Sequence, residues 1–544
     1  MKVVSEPLQS GSTLADDYIH HYEKVLPLYG EDYHFDQTWT DRAQWLDDTE
    51  DGRVNRHALV QILKEYNEKH NSHDAVHTSL YMLEKSGTLV VTGGQQSGLF
   101  VGSMLLVYKA ITIIQAAKDA EKRLNRPVVP VFWIAGEDHD WDEVNHTYLL
   151  SGDPQQVTKL KMNKYASVRS SVSYTAVSTD EWDKVIRSFS DTLPDSDVKA
   201  DILARIHQAS LTSDNLSDAF AKLLGDMFGK YGLVLLDSAD RRLRALESSV
   251  FESMIEHNDD LGRAYRASAD QITSLGYDLQ ADVADDGANL FYLHEGNRLL
   301  LVKQDGKFMD RKGLVSFTKE QLLDMLKTHP DKFSNNVLTR PIMQDSVLPV
   351  LACVLGQGEL AYWAITRQAF EVLNKKMPIL LPRMSFTLLE GTQQKYMEKY
   401  ELSFQDVQYH LQERREQWLS EQDTIQIDQL FLETRQAFEQ MYTPLIEQLS
   451  TLQTGLYTLG QNNKAKINEQ ISFLEQKAKD ALELQHEATL RQWDRIGISL
   501  FPMGKPQERV LNVYHYFNRY GMSLIEDLLE VASHYSEEHQ IILM

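Results

Sequence analysis

The 544-residue sequence predicts an α/β fold, a parallel-sheet core with two insertions, followed by a long α-helical coiled-coil domain. Three observations predict it. Short apolar, β-branched runs are each followed by a polar glycine turn and a helix-patterned segment. Two stretches of different character interrupt that alternation. Leucines at heptad spacing then dominate the last third of the chain.

Taken in order, residues 1–146 read as N-terminal helices and the first half of the core. Helices with polar faces occupy 1–86, turning around Gly30 and Gly52. LVVT is then a strand, GGQQSG at 93–98 a turn, Leu99–Leu124 a helix and Val128–Ala135 a second strand broken by Gly136. Strand, turn, helix and strand form a βαβ unit with parallel strands. Its two polar turns, 93–98 and 136–140, fall at the carboxyl edge, where such sheets bind ligands.

Residues 147–230 read as the first insertion, 231–274 as core with the strand GLVLLD at 232–237, and 275–330 as a second insertion of antiparallel ribbons with glycine turns. The core resumes over 331–386 with SVLPVLACVLGQGELAYW and MPILLP. The coiled-coil domain spans 387–498, and 499–544 is an aromatic C-terminal segment that packs back on the core. Leu445, Leu449, Leu452, Leu456 and Leu459 form one seam, and Ile467, Ile471, Leu474 and Ala478 a second. The break GQNNK at 460–464 between them predicts an antiparallel hairpin, and Pro444 a helix start or kink.

Fifty-five Lys and Arg against 79 Asp and Glu give a formal charge of −24, which repels nucleic acid and anionic lipid. The single cysteine, Cys353, excludes an internal disulfide framework and a Cys-rich zinc module. Its apolar surroundings make it a small buried hydrophobe. The opening MKVVSEPLQS lacks the apolar run of a secretory signal, and no apolar stretch is long enough to span a bilayer. The expectation is a cytoplasmic protein with no nucleic-acid or membrane partner.

Four polar groups stand out. In GGQQSGLFVG, Gly94 and Gly98 permit close backbone approach, and Gln95 and Gln96 add hydrogen-bonding side chains, a combination suited to phosphate or carboxylate. It is neither a Walker motif nor a GxGxxG fingerprint. In GEDHDWDEVNH, Asp138, His139 and Asp140 are the expected pocket residues, with Asp142 and Glu143 solvated. Carboxylates beside an imidazole hold an amine, move a proton or ligate a divalent metal. No metal ligand is assigned: His73 and His77 lack a third partner and read as a surface helix. Gln357, Glu359 and Tyr362 follow a strand and line the same cleft as substrate-binding candidates. Arg383, Ser385 and Thr387 follow the last strand, a cation beside two hydroxyls that suits phosphate.

TGGQQSGLFVG, VPVFWIAGEDHDWDEVNH, LVKQDGKF and LLPRMSFTLLE, in that order and at those separations, resemble the bacillithiol-biosynthesis cysteine-adding enzyme family over essentially the whole chain. The resemblance implies a ligase joining L-cysteine to the amine of glucosaminyl-malate, the last step to bacillithiol. It implies a Rossmann-like core related to class I aminoacyl-tRNA synthetases, with two connecting-peptide insertions and a coiled coil used in homodimerisation.

On that relationship Gln96–Leu99 occupies the place of the HIGH motif without its histidines, and Arg383–Thr387 that of the KMSKS loop without its second lysine. Gly94, Gln95, Gln96, Gly98, Arg383 and Ser385 are then the nucleotide or phosphate contacts. Asp138, His139 or Asp140 deprotonates or orients the attacking amine, and Lys109, Arg241 and Arg340 are candidate cations for the malyl carboxylates. Amide formation requires ATP as co-substrate or a preactivated donor. Related cysteine-activating enzymes read the thiol with a Cys-ligated zinc, which Cys353 alone cannot build. Two other readings have distinct signatures: a nucleotide-binding coiled-coil dimeric scaffold with a degenerate synthetase-like site, and a tRNA-handling enzyme, which the charge opposes.

Overall fold

The computed structural model describes residues 2–7, 11–152, 155–163 and 169–544. The chain divides into two compact units, one of Met1–Ser151, Val157–Leu388 and Gln507–Met544, the other of Gly152–Gln156 and Leu389–Pro506.

The first unit is built on a five-stranded parallel sheet in the spatial order Ile379–Pro382, Val350–Leu355, Leu89–Gln95, Val128–Ile134, Val234–Asp237. Its strands are continuous apolar runs because both faces are covered, and nearly every residue in them is buried. Counted along the chain, the order is 5-4-1-2-3, so the winding reverses between Leu89–Gln95 and Val350–Leu355. This is the doubly wound Rossmann-like arrangement, and the reversal opens a crevice above the carboxyl ends of those two strands. The helix Met104–Leu124 packs on Leu89–Gln95 and Val128–Ile134 and is buried on nearly all sides through its first four turns.

One local expectation is corrected here. Gly93, Gly94 and Gln95 are not in a turn but pair with Phe132, Trp133 and Ile134 as the end of the strand. Helix does not begin at Leu99: Phe100 and Val101 take positive φ (50° and 69°), and α-helix starts only at Met104. That backbone is unfavourable for a β-branched residue. Asn512 holds it, its Nδ2 donating to the carbonyls of Phe100 and Gly102 at 2.8 Å each.

A five-stranded antiparallel sheet, in the order Ser316–Phe317, Lys307–Asp310, Asn297–Gln304, Gly287–His294, Phe333–Asn335, stands beside the core. Its hairpins turn at Glu295-Gly296 and Asp305-Gly306, all four residues at positive φ, as tight two-residue turns require. Its fifth strand lies past residue 330. A third sheet pairs Lys2–Glu6 with His539–Leu543, and the latter also neighbours Phe386–Leu389.

The second unit is helical. Ile427–Ser450 and Gly455–Gln485 form its long hairpin, with Gly391–Lys399, Leu411–Glu421 and Glu487–Leu500 as shorter helices. The expected break at GQNNK is wrong: residues 460–464 are helical, and the chain turns at 451–454. Packing overrides the weak helix propensity of Gly and Asn. Tyr442 donates to Asn463 Oδ1 at 2.6 Å, Lys464 Nζ donates to Thr443 Oγ1 at 3.0 Å and pairs with Glu439, and Gly460 lies against the buried Ile446. At the true turn, Ser450 and Thr451 hydroxyls donate to the carbonyls of Glu447 and Gln448. Pro444 sits inside the first helix rather than starting one. The first leucine seam therefore spans two helices, and Leu445, Leu449, Leu452 and Leu459 are exposed. Among the described residues no helix is long and apolar enough to cross a membrane.

A Cβ on Gly460 would stand 2.8 Å from Ile446 Cγ1. Gly460→Val should therefore overpack the hairpin and cost about 1–3 kcal/mol. A lower midpoint for the loss of helical circular dichroism on heating is the expected result.

Candidate active site

Above the winding reversal lies a cavity of about 830 Å³, within the usual range for small-molecule sites. The ends of the first two core strands, the helix that follows Val350–Leu355, and the antiparallel sheet supply its walls.

Its floor is organised by Lys109, whose ammonium is buried beneath the crevice. Nζ donates to the carbonyl of Gly94 at 2.7 Å, to Gln95 Oε1 at 3.1 Å and to Glu359 Oε2. These three acceptors use all its donors. Burial pulls the Lys109 pKa below its ordinary value, against the opposing pull of Glu359. With Gln95 Oε1 taken, its Nε2 remains to donate into the cavity. Beside it, Arg340 donates to Gln344 Oε1 at 2.9 Å and to the Tyr362 hydroxyl at 2.8 Å. A Cβ at position 94 would stand 2.8 Å from Arg340 Nη1, so any larger residue there would displace that guanidinium.

The opposite wall is acidic. Asp138 Oδ1 accepts the backbone N–H of His139 at 2.7 Å, while its Oδ2 accepts Gln96 Nε2 at 2.5 Å. The same Gln96 nitrogen donates to Glu143 Oε2 at 2.8 Å, leaving Gln96 Oε1 for an N–H donor. Burial alone would raise Asp138, but the Gln96 hydrogen bond and the Arg298 charge hold it below the usual carboxylate range. Glu143 goes the other way: burial, then the charges of Asp138 and Asp140, push it up. Two neighbouring carboxyls with separated pKa values suit an amine site, one holding charge and the other taking a proton.

Behind this wall is a buried charge cluster. Glu137 pairs with Arg244, Arg244 with Glu247 at 2.6 Å, and Arg298 lies 4.0 Å from Glu137 and 3.7 Å from Asp138. Burial pushes Glu247 up to about 7 despite its arginine. Asp237, ending its strand next to Gly136, is lifted by burial to about 6, although the Ser173 hydroxyl (2.6 Å) and the Ala239 N–H (2.9 Å) both donate to it.

The structure brings Gly94, Gln95, Gln96, Asp138, His139, Glu359 and Tyr362 to one cavity, along with the candidate cation Arg340. Gly98 lines a smaller neighbouring cavity of about 210 Å³ with Ser103, His146 and Arg509, and Gln95, Gln96 and Glu143 belong to both. Other expected residues stand elsewhere. Asp140 caps the short helix Trp141–Val144 through Glu143 N–H at 3.3 Å and lies off the cavity. Glu143 is exposed, as expected, and also lines the cavity at its open side, because that turn of helix rotates position 143 rather than 140 toward Gln96. Gln357 accepts from Arg509 at 3.2 Å and faces away from the larger cavity. Arg383 is buried in a two-point pair with Glu508, one arm at 3.0 Å, and Ser385 is hydrogen-bonded to His539 Nδ1 at 2.9 Å; neither lines either cavity. Arg241 is exposed over the Tyr174 ring, and Lys109 is buried in the floor.

Sequence reading missed Glu137, Arg298 and Asn335, since nothing local marks a buried arginine on a ribbon as a partner of a distant histidine. Cys353 is buried in its strand, accepts from Gln344 Nε2 at 3.3 Å, and is pushed by burial up to about 12. Among the described residues, no group of three or more His, Cys, Asp or Glu is placed to hold a metal ion.

Two predictions follow from these buried charges. Lys109→Met strands Glu359 and the Gly94 carbonyl, and should cost on the order of 3 kcal/mol in urea unfolding. For Asp237, the folded carboxyl binds its proton more tightly than the unfolded one, so stability falls as pH rises from about 4 through about 6. Asp237→Asn should remove that slope, exceeding the parent by about 2–3 kcal/mol near pH 7 and matching it near pH 4; urea titrations across that range measure it.

Comparison with known proteins agrees with this architecture. The family model for the bacillithiol biosynthesis BshC N-terminal Rossmann-like domain matches residues 1–384, and that for the BshC C-terminal coiled-coil domain matches 386–544. A protein of Bacillus cytotoxicus named "Putative cysteine ligase BshC" is 33% identical over 547 residues, covering 100% of this chain and 99% of its own. Proteins of the same name from Geobacillus sp. (33%, 100% of both chains) and Bacillus mycoides (32%, 100% and 99%) are similar to it throughout. With two domain models in tandem and relatives matched from end to end, the chain belongs to the BshC family of bacillithiol biosynthesis.

Proposed function

We propose that the chain is a carbon–nitrogen ligase that joins the carboxylate of L-cysteine to the amine of glucosaminyl-malate, completing bacillithiol. The observation that carries this reading is the wall shared by the two cavities: Gln95, Gln96 and Glu143 line both. Such a wall lets an activated carboxylate formed on one side meet an amine held on the other.

An amide does not form from a free carboxylate and an amine in water, so activation precedes attack. The smaller cavity suits the phosphoryl end of ATP, with Gly98 backbone, the Ser103 hydroxyl and the Arg509 guanidinium as donors. The larger cavity takes the amine against Asp138, Glu143 and Gln96 Oε1, and the malyl carboxylates against Arg340 and Arg311. Holding both partners in place supplies much of the rate by proximity. Leu445, Leu449, Leu459, Phe473 and Leu474 are exposed on the helical hairpin and suit pairing with a second copy of the chain.

The neutralisation of Arg383 by Glu508 favours a second reading, a nucleotide-binding dimeric scaffold without turnover. Mass spectrometry of the protein with glucosaminyl-malate, cysteine and ATP separates the two. Bacillithiol with AMP is the expected result; bacillithiol with ADP would replace the adenylate by an acyl phosphate. Bound nucleotide without product would establish the scaffold instead.

A further inference from the structure

A guanidinium carries hydrogen-bond donors and no acceptor. Arg298, on the strand Asn297–Gln304, directs Nη1 at His139 Nδ1, 3.3 Å away. Its side chain is 6% exposed, and the rest of the group is fixed. Nε donates to Ser334 Oγ at 2.9 Å, Nη2 donates to the Asn335 carbonyl, and the plane lies 3.9 Å from the centre of the Phe291 ring. Nδ1 facing such a group can only accept. In a neutral imidazole the remaining proton is then on Nε2, which meets no hydrogen-bond partner among the described residues while His139 lines the cavity.

The groups facing this ring oppose one another. Asp138 Oδ1, 3.6 Å from Nδ1, favours a proton there, but it already accepts the His139 backbone N–H and lies 3.7 Å from Arg298. Asp140 adds negative charge and Arg169 positive; Phe291 closes the other face, its ring centre 5.8 Å away. Burial and then Arg298 hold the imidazole below its ordinary pKa.

We propose that Arg298 is a positioning residue that fixes His139 as a neutral imidazole protonated on Nε2. His139 then donates to an acyl oxygen of the substrate instead of taking the proton of the amine. This role rests on the ligase reading for the identity of the acceptor. In that reaction the amine nitrogen bonds to the acyl carbon, the bond from that carbon to the activating phosphate oxygen breaks, and the amine proton passes to Glu143. The negative charge that gathers on the acyl oxygen meets His139 Nε2–H, a donor that gives up no proton.

The test uses the side-chain amide of glutamine, which donates but is no base. If His139 is a donor, His139→Gln should keep activity within about tenfold of the parent while His139→Leu loses about 10²- to 10³-fold. Equal losses in the two variants would overturn the donor role. Nitrogen-15 NMR of histidine-labelled protein, with His139 identified by its disappearance in His139→Gln, reads the tautomer directly. Protonation on Nε2, with titration below the ordinary imidazole value, is expected. In Arg298→Gln, or in Arg298→Met if that variant does not fold, the guanidinium charge is gone and titration should move up from the parent's. A proton on Nδ1 in the parent, or an unmoved titration in a folded variant, would overturn the positioning role. Absence of ligation by the parent would defeat the ligase reading and the donor role built on it, and leave the NMR result to decide the tautomer.

Discussion

The site is organised by one buried ammonium. Lys109 Nζ reaches across the winding reversal and binds the Gly94 carbonyl and the Gln95 side-chain oxygen at the end of one core strand and the carboxylate of the helix that follows another. A cation taken out of water is expensive, and only three acceptors at hydrogen-bonding distance offset that cost. Once they are in place, the crevice cannot widen without stranding the charge. Glu359 is thereby pinned beside the end of the Leu89–Gln95 strand, and the side-chain amide of Gln95 is oriented. Gly94 adds to this floor by leaving space for Arg340, whose Nη1 would stand 2.8 Å from a Cβ at that position.

The opposite wall relies on a different balance. Glu137, Glu247, Arg244 and Arg298 pair in the interior, and of these Glu137 and Arg298 line the cavity. Such a cluster adds little net stability, because desolvation consumes most of the Coulombic gain. Its return is geometric. It fixes a guanidinium against one edge of an imidazole and one oxygen of Asp138, and leaves Glu143, outside the cluster, with a raised pKa.

How much of this was legible in the sequence depends on range. The apolar runs at Leu89, Val128, Val234 and Val350 announce buried parallel strands, and the polar turns after the first two mark the crevice by local pattern alone. The GQNNK error is instructive. Gly and Asn are poor helix formers, and only the neighbouring helix, through Tyr442, Thr443 and Ile446, tips the balance to helix. The exchange of Asp140 for Glu143 has a similar cause: acidic residues three apart look alike until a capping bond sets the rotation of the helix. Arg298 was beyond reach, as its partner is 159 residues away and the contact exists only once an inserted sheet docks. Arg383 and Ser385 show the converse, a motif-like loop whose polar atoms are already bound to Glu508 and His539.

Cys353 has one further consequence. Its thiol is sealed in a core strand with a pKa near 12, so almost none of it is thiolate in neutral water. Disulfide exchange requires an accessible thiolate on one partner. On the ligase reading, a protein whose substrate and product are both reactive thiols offers neither of them a sulfur to attack. It would pass through oxidising episodes without trapping its own product as a mixed disulfide, and its catalytic capacity would be uncoupled from the redox poise that the product buffers.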